Sequence, residues 1–222
     1  MDPIREWFEP WDVNRRLREL SDALTTDVLI EAVTRAQAAW AACTRHHPRS
    51  FAGIASWAEG IRTLRDQLTP FNWSSEDDRG QPRAVDPEGI LAITVLSGDE
   101  ITGKVGQGQP RTKTGHGPAT IEFVDTNAYL WPQWESEARA SLERERILEK
   151  NTWVLLMYRD TKLGQVRCEL SHPTGMDGEN RIISWSERII LPPVEFEPIP
   201  ENVTMNEGPD DGEITIDIKR RA

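Results

Sequence analysis

The sequence predicts an α+β fold, in which a helical N-terminal part is followed by a mainly antiparallel sheet with one covering helix. Apolar residues recur at helical spacing up to residue 68, and beyond residue 88 short apolar runs alternate with turns rich in glycine and proline. A polar stretch separates the two patterns. The expected organisation is a helical region 1–71, a polar linker 72–88, a β-rich α+β region 89–193 and an acidic tail 194–222.

Three helices are expected in the N-terminal region, after an aromatic segment that packs onto the domain surface. The first begins near Asp12, a good N-cap residue. Thr25 and Thr26 either interrupt it or cap the second, which continues to about His46. Ser50 is expected to cap the third helix. Pro70 ends it because proline cannot continue a helix.

The region after the linker predicts a sheet. Strands are expected at 90–96, 119–124, 153–158, 165–170 and 181–191, a helix at about 134–150, and an optional edge strand at 213–218. The pair of strands around Gly164 forms a hairpin, because glycine can adopt the positive φ that a tight turn needs. Pro192 and Pro193 are expected to stop the last strand.

Composition restricts the class of protein. The net charge of -11, from 26 basic and 37 acidic side chains, repels polyanions at long range. The two cysteines form no disulfide framework of the kind that small secreted domains use. No leader-like apolar segment opens the chain, and no apolar run approaches the ~20 residues that cross a bilayer. We therefore expect a cytoplasmic protein without a membrane segment.

A basic, glycine-rich loop is the strongest indication of function. Residues 101–121 contain no acid, five glycines and four residues that can carry positive charge: Lys104, Arg111, Lys113 and His116. Cations next to exposed backbone amides favour an anion, and loops of this length are often functional. We predict that these four residues bind an anion or a nucleic acid.

A phosphate-binding P-loop is disfavoured at the same place. The stretch from Gly98 to Lys104 has the G-x4-G-K spacing, but Val105 stands where a magnesium-binding Ser or Thr is needed. Gly106, Gly108 and Pro110 then oppose the helix whose N-terminus would face the phosphates.

Metal and catalytic patterns are weak, so no catalytic residue, metal site or cofactor is predicted. Two Cys and two His residues could make a zinc set, but Cys168 and His172 would lie about 13 Å apart on a strand at ~3.3 Å per residue. There is no G-x-S-x-G motif. Asp160 and Lys162, like Asp217 and Lys219, have the D-x-K form of some metal-dependent nucleases.

The functional prediction is a non-catalytic accessory or adaptor subunit of a bacterial multi-protein assembly, with a protein partner. It rests on the missing catalytic signatures, the aromatic N-terminal segment and the acidic tail. One alternative is a nucleic-acid binder or metal-dependent nuclease that uses the 104–116 loop. A second alternative is a small-ligand module, because nine tryptophans could line a pocket.

Overall fold

The computed structural model describes residues 4–134 and 151–196, which form four α-helices and one seven-stranded sheet. The helices are α1 (Pro10–Leu20), α2 (Thr26–Ala41), α3 (Phe51–Leu68) and α4 (Pro118–Trp134). The strands are β1 (Arg5–Trp7), β2 (Ser74–Asp78), β3 (Gln81–Val85), β4 (Leu91–Ser97), β5 (Asn151–Asp160), β6 (Gln165–Met176) and β7 (Ile182–Glu195). The predicted α+β class is confirmed.

The sheet is mixed, with the strand order β1-β7-β6-β5-β4-β3-β2. Neighbouring strands are antiparallel except for the pairs β4–β5 and β1–β7. A parallel pair needs a crossover, since the chain must return to the same end of the sheet. Here the crossover from β4 leads through residues 98–117, which we call the glycine-rich loop, and continues into α4.

The two faces of the sheet are covered by different helices. Helices α1, α2 and α3 pack on one face, where Trp153 and Leu155 of β5 are buried in the main core. On the other face, Phe123 of α4 packs against Leu156 and Trp185. No helix within the described ranges is both long and apolar enough to cross a membrane.

The helical region largely follows its prediction. The side-chain oxygen of Thr25 accepts a hydrogen bond from the amide of Val28 at 3.2 Å and caps α2. Helices α2 and α3 pack together at Gly60, where an added Cβ would lie 3.4 Å from the Cβ of Ala36, an ordinary van der Waals distance. Helix α2 ends at Ala41, earlier than expected, so residues 42–50 form a longer connection to α3.

The predicted strand at 119–124 is wrong, since these residues form the start of α4. A short apolar run fits a buried helix as well as a buried strand, and local periodicity does not separate them. The parallel pairing of β4 with β5 favours the helix, because two consecutive parallel strands need a crossover connection and a helix can form it.

The hairpin around Gly164 is confirmed, with β5 antiparallel to β6 and a φ of 63° at the glycine. Strand β7 continues through Pro192 and Pro193 to Glu195, contrary to expectation. The register between β6 and β7 shifts opposite these prolines, and an irregularity of this kind tolerates residues that donate no ladder bond.

The polar stretch that we interpreted as a linker contains β2 and β3, which pair with each other and continue the sheet. Arg65 of α3 donates to the carbonyl of Arg83 in β3, at 3.2 Å, so this hairpin is attached to the helical layer. The remaining predicted elements, the helix at 134–150 and the edge strand at 213–218, lie outside the described residues.

Candidate anion-binding cleft

A cleft of about 970 Å³ lies where β4 and β5 end. Because these neighbours are parallel, their carboxyl ends meet at one edge of the sheet, a common position for binding sites. The connection 42–50 forms one wall, and the glycine-rich loop and the β5–β6 turn form others. We call it the cationic cleft.

Positive charge dominates the lining of the cationic cleft. Three acids line it: Asp99, Glu100 and Asp160. Nine basic residues line it: Arg45, Arg49, Lys104, Arg111, Lys113, Arg159, Lys162, Arg167 and Arg181. This excess occurs in a chain whose net charge is -11, so the cleft is a local reversal of the overall field.

Ion pairs between described residues involve three of the nine cations. Arg111 lies 3.7 Å from a carboxylate oxygen of Asp99, Arg167 pairs with Asp160, and Arg181 pairs with Glu179. Burial raises the pKa of Asp99, against the effect of hydrogen bonds from the backbone of Ile101 and Arg111. The acids therefore neutralise only part of the lining.

Arg159 is held between aromatic rings. Its guanidinium lies 3.6 Å from the centroid of the Trp40 ring and 4.2 Å from that of Phe196, and its Nε donates to the side chain of Gln37 at 3.0 Å. The two cation–π contacts and the hydrogen bond to a neutral amide hold the guanidinium in place. Arg159 thus contributes a fixed positive charge beside the end of β5.

Five cations of the cleft make no ion pair with any residue in the described part of the chain: Arg45, Arg49, Lys104, Lys113 and Lys162. They come from three separate segments, and all except the half-buried Lys104 are exposed. Unpaired cations gathered in a concave surface focus the positive potential there and attract anions.

The glycine-rich loop is fastened to the end of β4 by backbone contacts. Thr112 forms a β-bridge with Gly98, the amide of Asp99 donates to the carbonyl of Arg111 at 3.0 Å, and the amide of Lys113 donates to that of Ser97 at 2.9 Å. These bonds place Arg111 and Lys113 at the edge of the cleft.

A buried ion pair fastens the other part of the loop to the sheet. Arg188 donates to both carboxylate oxygens of Glu169, at 3.0 and 2.6 Å, and also to the carbonyls of Lys104 and Gly108, at 3.2 and 2.9 Å. Glu169 accepts in turn from the amide of Gly103 at 2.8 Å. Although burial lowers the pKa of Arg188, the hydrogen bonds and charges of Glu169 and Glu6 outweigh it and raise that pKa.

Strand β1 takes part in the same anchoring. The carboxylate of Glu6 accepts from the amide of Gly106 at 3.0 Å and from Arg188 at 2.6 Å. The amides of Gly103 and Gly106 are thus occupied by carboxylates of the chain itself. Of the features that predicted an anion site, the side chains of Lys104 and Lys113 form no ion pair with described residues, whereas these two amides are already bonded.

The structure brings three of the four predicted site residues, Lys104, Arg111 and Lys113, into one cleft and leaves out His116. The His116 ring is half-buried, and among the described residues nothing hydrogen-bonds its Nε2. Burial lowers its pKa to about 4, so the ring is neutral at pH 7. His116 therefore contributes no positive charge to an anion site.

Sequence reasoning missed the cations on the facing segments. Arg45 and Arg49 lie in the connection 42–50, and Lys162 lies in the β5–β6 turn. The sequence held part of this signal, since Arg49 follows a predicted helix and Lys162 follows a predicted strand, whereas Arg45 lies within the predicted helix. Only the strand order and the packing of α2 bring these segments next to the glycine-rich loop.

The other motifs are dispersed. Cys43 lines the cleft whereas Cys168 is fully buried in the sheet, and no group of three or more His, Cys, Asp or Glu residues in the described ranges could hold a metal. Asp160 and Lys162 lie in the cleft, whereas Asp217 and Lys219 lie outside the residues that the structure describes. Among the described residues, Trp40 is the one tryptophan that lines the cationic cleft.

Roles in the cationic cleft are inferred from its own charges and contacts. No protein-family model matches this chain, and no curated protein or solved structure is significantly similar to it.

Proposed function

We propose that this chain binds a ligand with more than one phosphate group in the cationic cleft. The observation that carries the proposal is a group of five cations, contributed by three segments of an acidic chain, that form no ion pair with residues 4–134 or 151–196. Arginine and lysine are the usual partners of phosphate oxygens in proteins. Cations on facing walls favour several anionic groups over a single one.

The size of the cleft supports a ligand larger than inorganic phosphate. Its volume, about 970 Å³, is near the upper end of the ~300–1,000 Å³ range of ligand pockets. Trp40 and His47 add aromatic surface to a lining that is otherwise polar, and aromatic rings can stack on nucleobases. A nucleoside polyphosphate and a single-stranded nucleic acid share this chemistry, and the experiment distinguishes them.

The test removes unpaired cations from two walls. The triple variant Arg49→Gln/Lys104→Gln/Lys113→Gln is compared with Arg15→Gln/Arg18→Gln/Arg35→Gln, which makes the same change of charge outside the cleft. The probes are tripolyphosphate, ATP and a fluorescein-labelled single-stranded DNA of about 12 nucleotides. We expect the cleft variant to lose about tenfold in affinity at low salt, and the control to change by less than about twofold.

Salt dependence gives a second measurement. If the three cations contact phosphates of the DNA, the slope of log K against log salt should become shallower by about 2, since each contact to a single strand contributes ~0.7. Binding of every probe identifies a general polyphosphate site, whereas binding of the DNA alone identifies a nucleic acid. Wild-type protein that binds none of the probes, or equal losses in both triple variants, would refute the proposal.

The adaptor role predicted from the sequence is a second candidate, favoured by exposed aromatic residues near the start of α1. Trp11 is 80% exposed and Phe8 47% exposed, although large aromatic side chains are usually covered. An adaptor should form a complex of fixed stoichiometry with one defined protein, and Phe8→Ser/Trp11→Ser should weaken it while leaving stability unchanged. A complex unaffected by this double variant would count against a role for this surface.

A further inference from the structure

The wall of the cationic cleft that residues 42–50 form carries a stacked pair of aromatic rings. The rings of His47 and Phe51 lie parallel to within 5°, with their centroids 4.8 Å apart. His47 lines the cleft, and both residues are exposed. Phe51 covers one face of the imidazole, so a planar group that enters the cleft can stack on the opposite face.

Hydrogen bonds with the backbone fix the orientation of the His47 ring. Its Nδ1 accepts from the amide of Thr44 at 2.9 Å, and the amide of His47 donates to the carbonyl of Thr44 at 3.0 Å. Because Nδ1 accepts a bond, the proton of the neutral imidazole lies on Nε2. The ring is therefore held before any ligand arrives, and a preorganised ring loses little conformational freedom when a ligand stacks on it.

Cations lie on both sides of this ring along the chain. Arg45 precedes and Arg49 follows His47 by two residues, and both line the same cleft and form no ion pair with described residues. Lys104 and Lys113 belong to another wall, the glycine-rich loop. Aromatic rings stack on bases and cations bind phosphates, and a nucleotide presents both groups in one molecule.

Trp40, which also lines the cleft, is a poorer stacking surface than His47. It is half-buried, and the guanidinium of Arg159 lies 3.6 Å from the centroid of its ring, so one face of that ring is already covered. Within the described part of the cleft, His47 is the ring that combines exposure, a fixed orientation and neighbouring cations.

We infer that the ligand of the cationic cleft contains a nucleotide unit, whose base stacks on the face of His47 opposite Phe51 while its phosphates contact the cleft cations. The inference rests on the proposed function, since it adds a base to a ligand proposed to carry phosphates. Its consequence is a preference for ATP over tripolyphosphate. Because ATP carries no more negative charge than tripolyphosphate, tighter binding of ATP has to come from its nucleoside.

The first test measures that preference by isothermal titration calorimetry. His47→Ala removes the ring, and His46→Ala is the matched control, because His46 is an exposed neighbour that does not line the cleft. The wild-type and control proteins should bind ATP about tenfold more tightly than tripolyphosphate. His47→Ala should lose this preference while its affinity for tripolyphosphate stays within about twofold of the wild-type value.

Further variants separate stacking from the other properties of a histidine. His47→Phe keeps an aromatic ring without the Nε2 donor, so it should retain the preference for ATP. Phe51→Leu removes the ring that supports His47 and should reduce the preference about threefold, because Phe51 acts as a positioning residue. Phe71→Leu changes an exposed aromatic residue outside the cleft lining and should leave the preference unchanged.

Oligonucleotides identify the source of the nucleotide unit. A strand of about 12 thymidines is compared with an abasic strand of the same length, which presents the same phosphates without bases. Tighter binding of the thymidine strand than of ATP indicates a nucleic acid, and the reverse indicates a free nucleotide. In the first case, His47→Ala should reduce the advantage of the thymidine strand over the abasic one.

The outcomes distinguish this inference from the proposed function. Equal affinity of the wild-type protein for ATP and tripolyphosphate, or the same preference in His47→Ala and His46→Ala, would overturn the inference and keep the proposed function. Loss of the preference in His47→Phe would show that stacking is not its cause, and would also overturn the inference. Wild-type protein that binds no phosphate probe would refute both.

Discussion

Glu169 and Arg188 form a fully buried ion pair with two hydrogen bonds, on adjacent strands of the sheet and directly beneath the glycine-rich loop. The other bonds of the two side chains join them to the loop backbone, to Glu6 and to the hydroxyl of Ser171, which donates to Glu169 at 2.8 Å. The pair therefore connects the rigid sheet to the loop that carries Lys104 and Lys113, and the stability of the fold and the shape of the cleft should depend on it together.

Removing one member of this pair should destabilise the protein strongly. Arg188→Met leaves the Glu169 carboxylate buried without its cation, and the expected loss is about 3–5 kcal/mol in the free energy of unfolding. Urea denaturation measures it. The exposed pair of Glu31 and Arg35 is the control, since Glu31→Gln should cost less than about 1 kcal/mol.

The double variant Glu169→Leu/Arg188→Met should recover part of that loss, because no charge then remains buried. A cost below about 1 kcal/mol for Arg188→Met alone would contradict the role of the pair in anchoring the loop.

Gly103→Ala should destabilise the glycine-rich loop. The residue has a φ of 71°, which other residues rarely adopt, and an added Cβ would lie 2.9 Å from the Cβ of Arg167. We expect a loss of about 1–3 kcal/mol in thermal or urea unfolding, together with weaker binding of tripolyphosphate. Gly53→Ala is the control for stability: it lies in α3 with nothing within 4 Å of its added Cβ, and should gain about 0.5–1 kcal/mol.

Acid should weaken the fold partly through His172. Burial, assisted by the charge of Arg16, lowers the pKa of His172 to about 3, whereas a histidine in an unfolded chain titrates near 6.5. The unfolded state then binds the extra proton, so this stability is complete above about pH 6.5 and is lost as the pH falls toward about 3.

As the pH is lowered from about 6 to about 4, the free energy of unfolding should therefore fall more steeply in the wild-type protein than in His172→Gln. The difference approaches about 1.4 kcal/mol per pH unit, the value for one proton. The exposed His46→Gln variant should keep the wild-type slope. Identical slopes in all three proteins would show that His172 does not stay neutral in the fold.

The two cysteines should differ in reactivity. Cys168 is fully buried, and burial with the nearby charge of Glu169 raises the pKa of its thiol, whereas Cys43 is half-buried in the cleft lining. Iodoacetamide should label Cys43 alone in the native protein, and both residues after denaturation. Mass spectrometry of the digested protein identifies the labelled cysteines.

Tripolyphosphate should slow the native labelling of Cys43 if it occupies the cleft. The Cys43→Ser variant should show no labelling in the native state, which controls for background reaction at Cys168. Rapid alkylation of Cys168 in native protein would contradict its burial in the sheet.

The sequence by itself determined the elements whose neighbours lie close along the chain. Helical spacing of apolar residues located α2 and α3, Thr25 marked the start of α2, and Gly164 located the β5–β6 turn, whereas the side chain of Ser50 makes no capping hydrogen bond at α3. Local spacing also singled out the basic run from Lys104 to Lys113. In each case the decisive interactions lie within a few residues.

Only the tertiary structure decided the rest. The crossover between the parallel strands β4 and β5 contains 119–124 as part of α4, and the strand order together with the packing of α2 places Arg49, Lys104 and Lys162 in the lining of one cleft, although they are far apart in sequence. His116 also needed the fold, since its pKa depends on burial. The physical reason is the same throughout: strand order, burial and the gathering of charges depend on contacts between distant residues, which a local pattern does not contain.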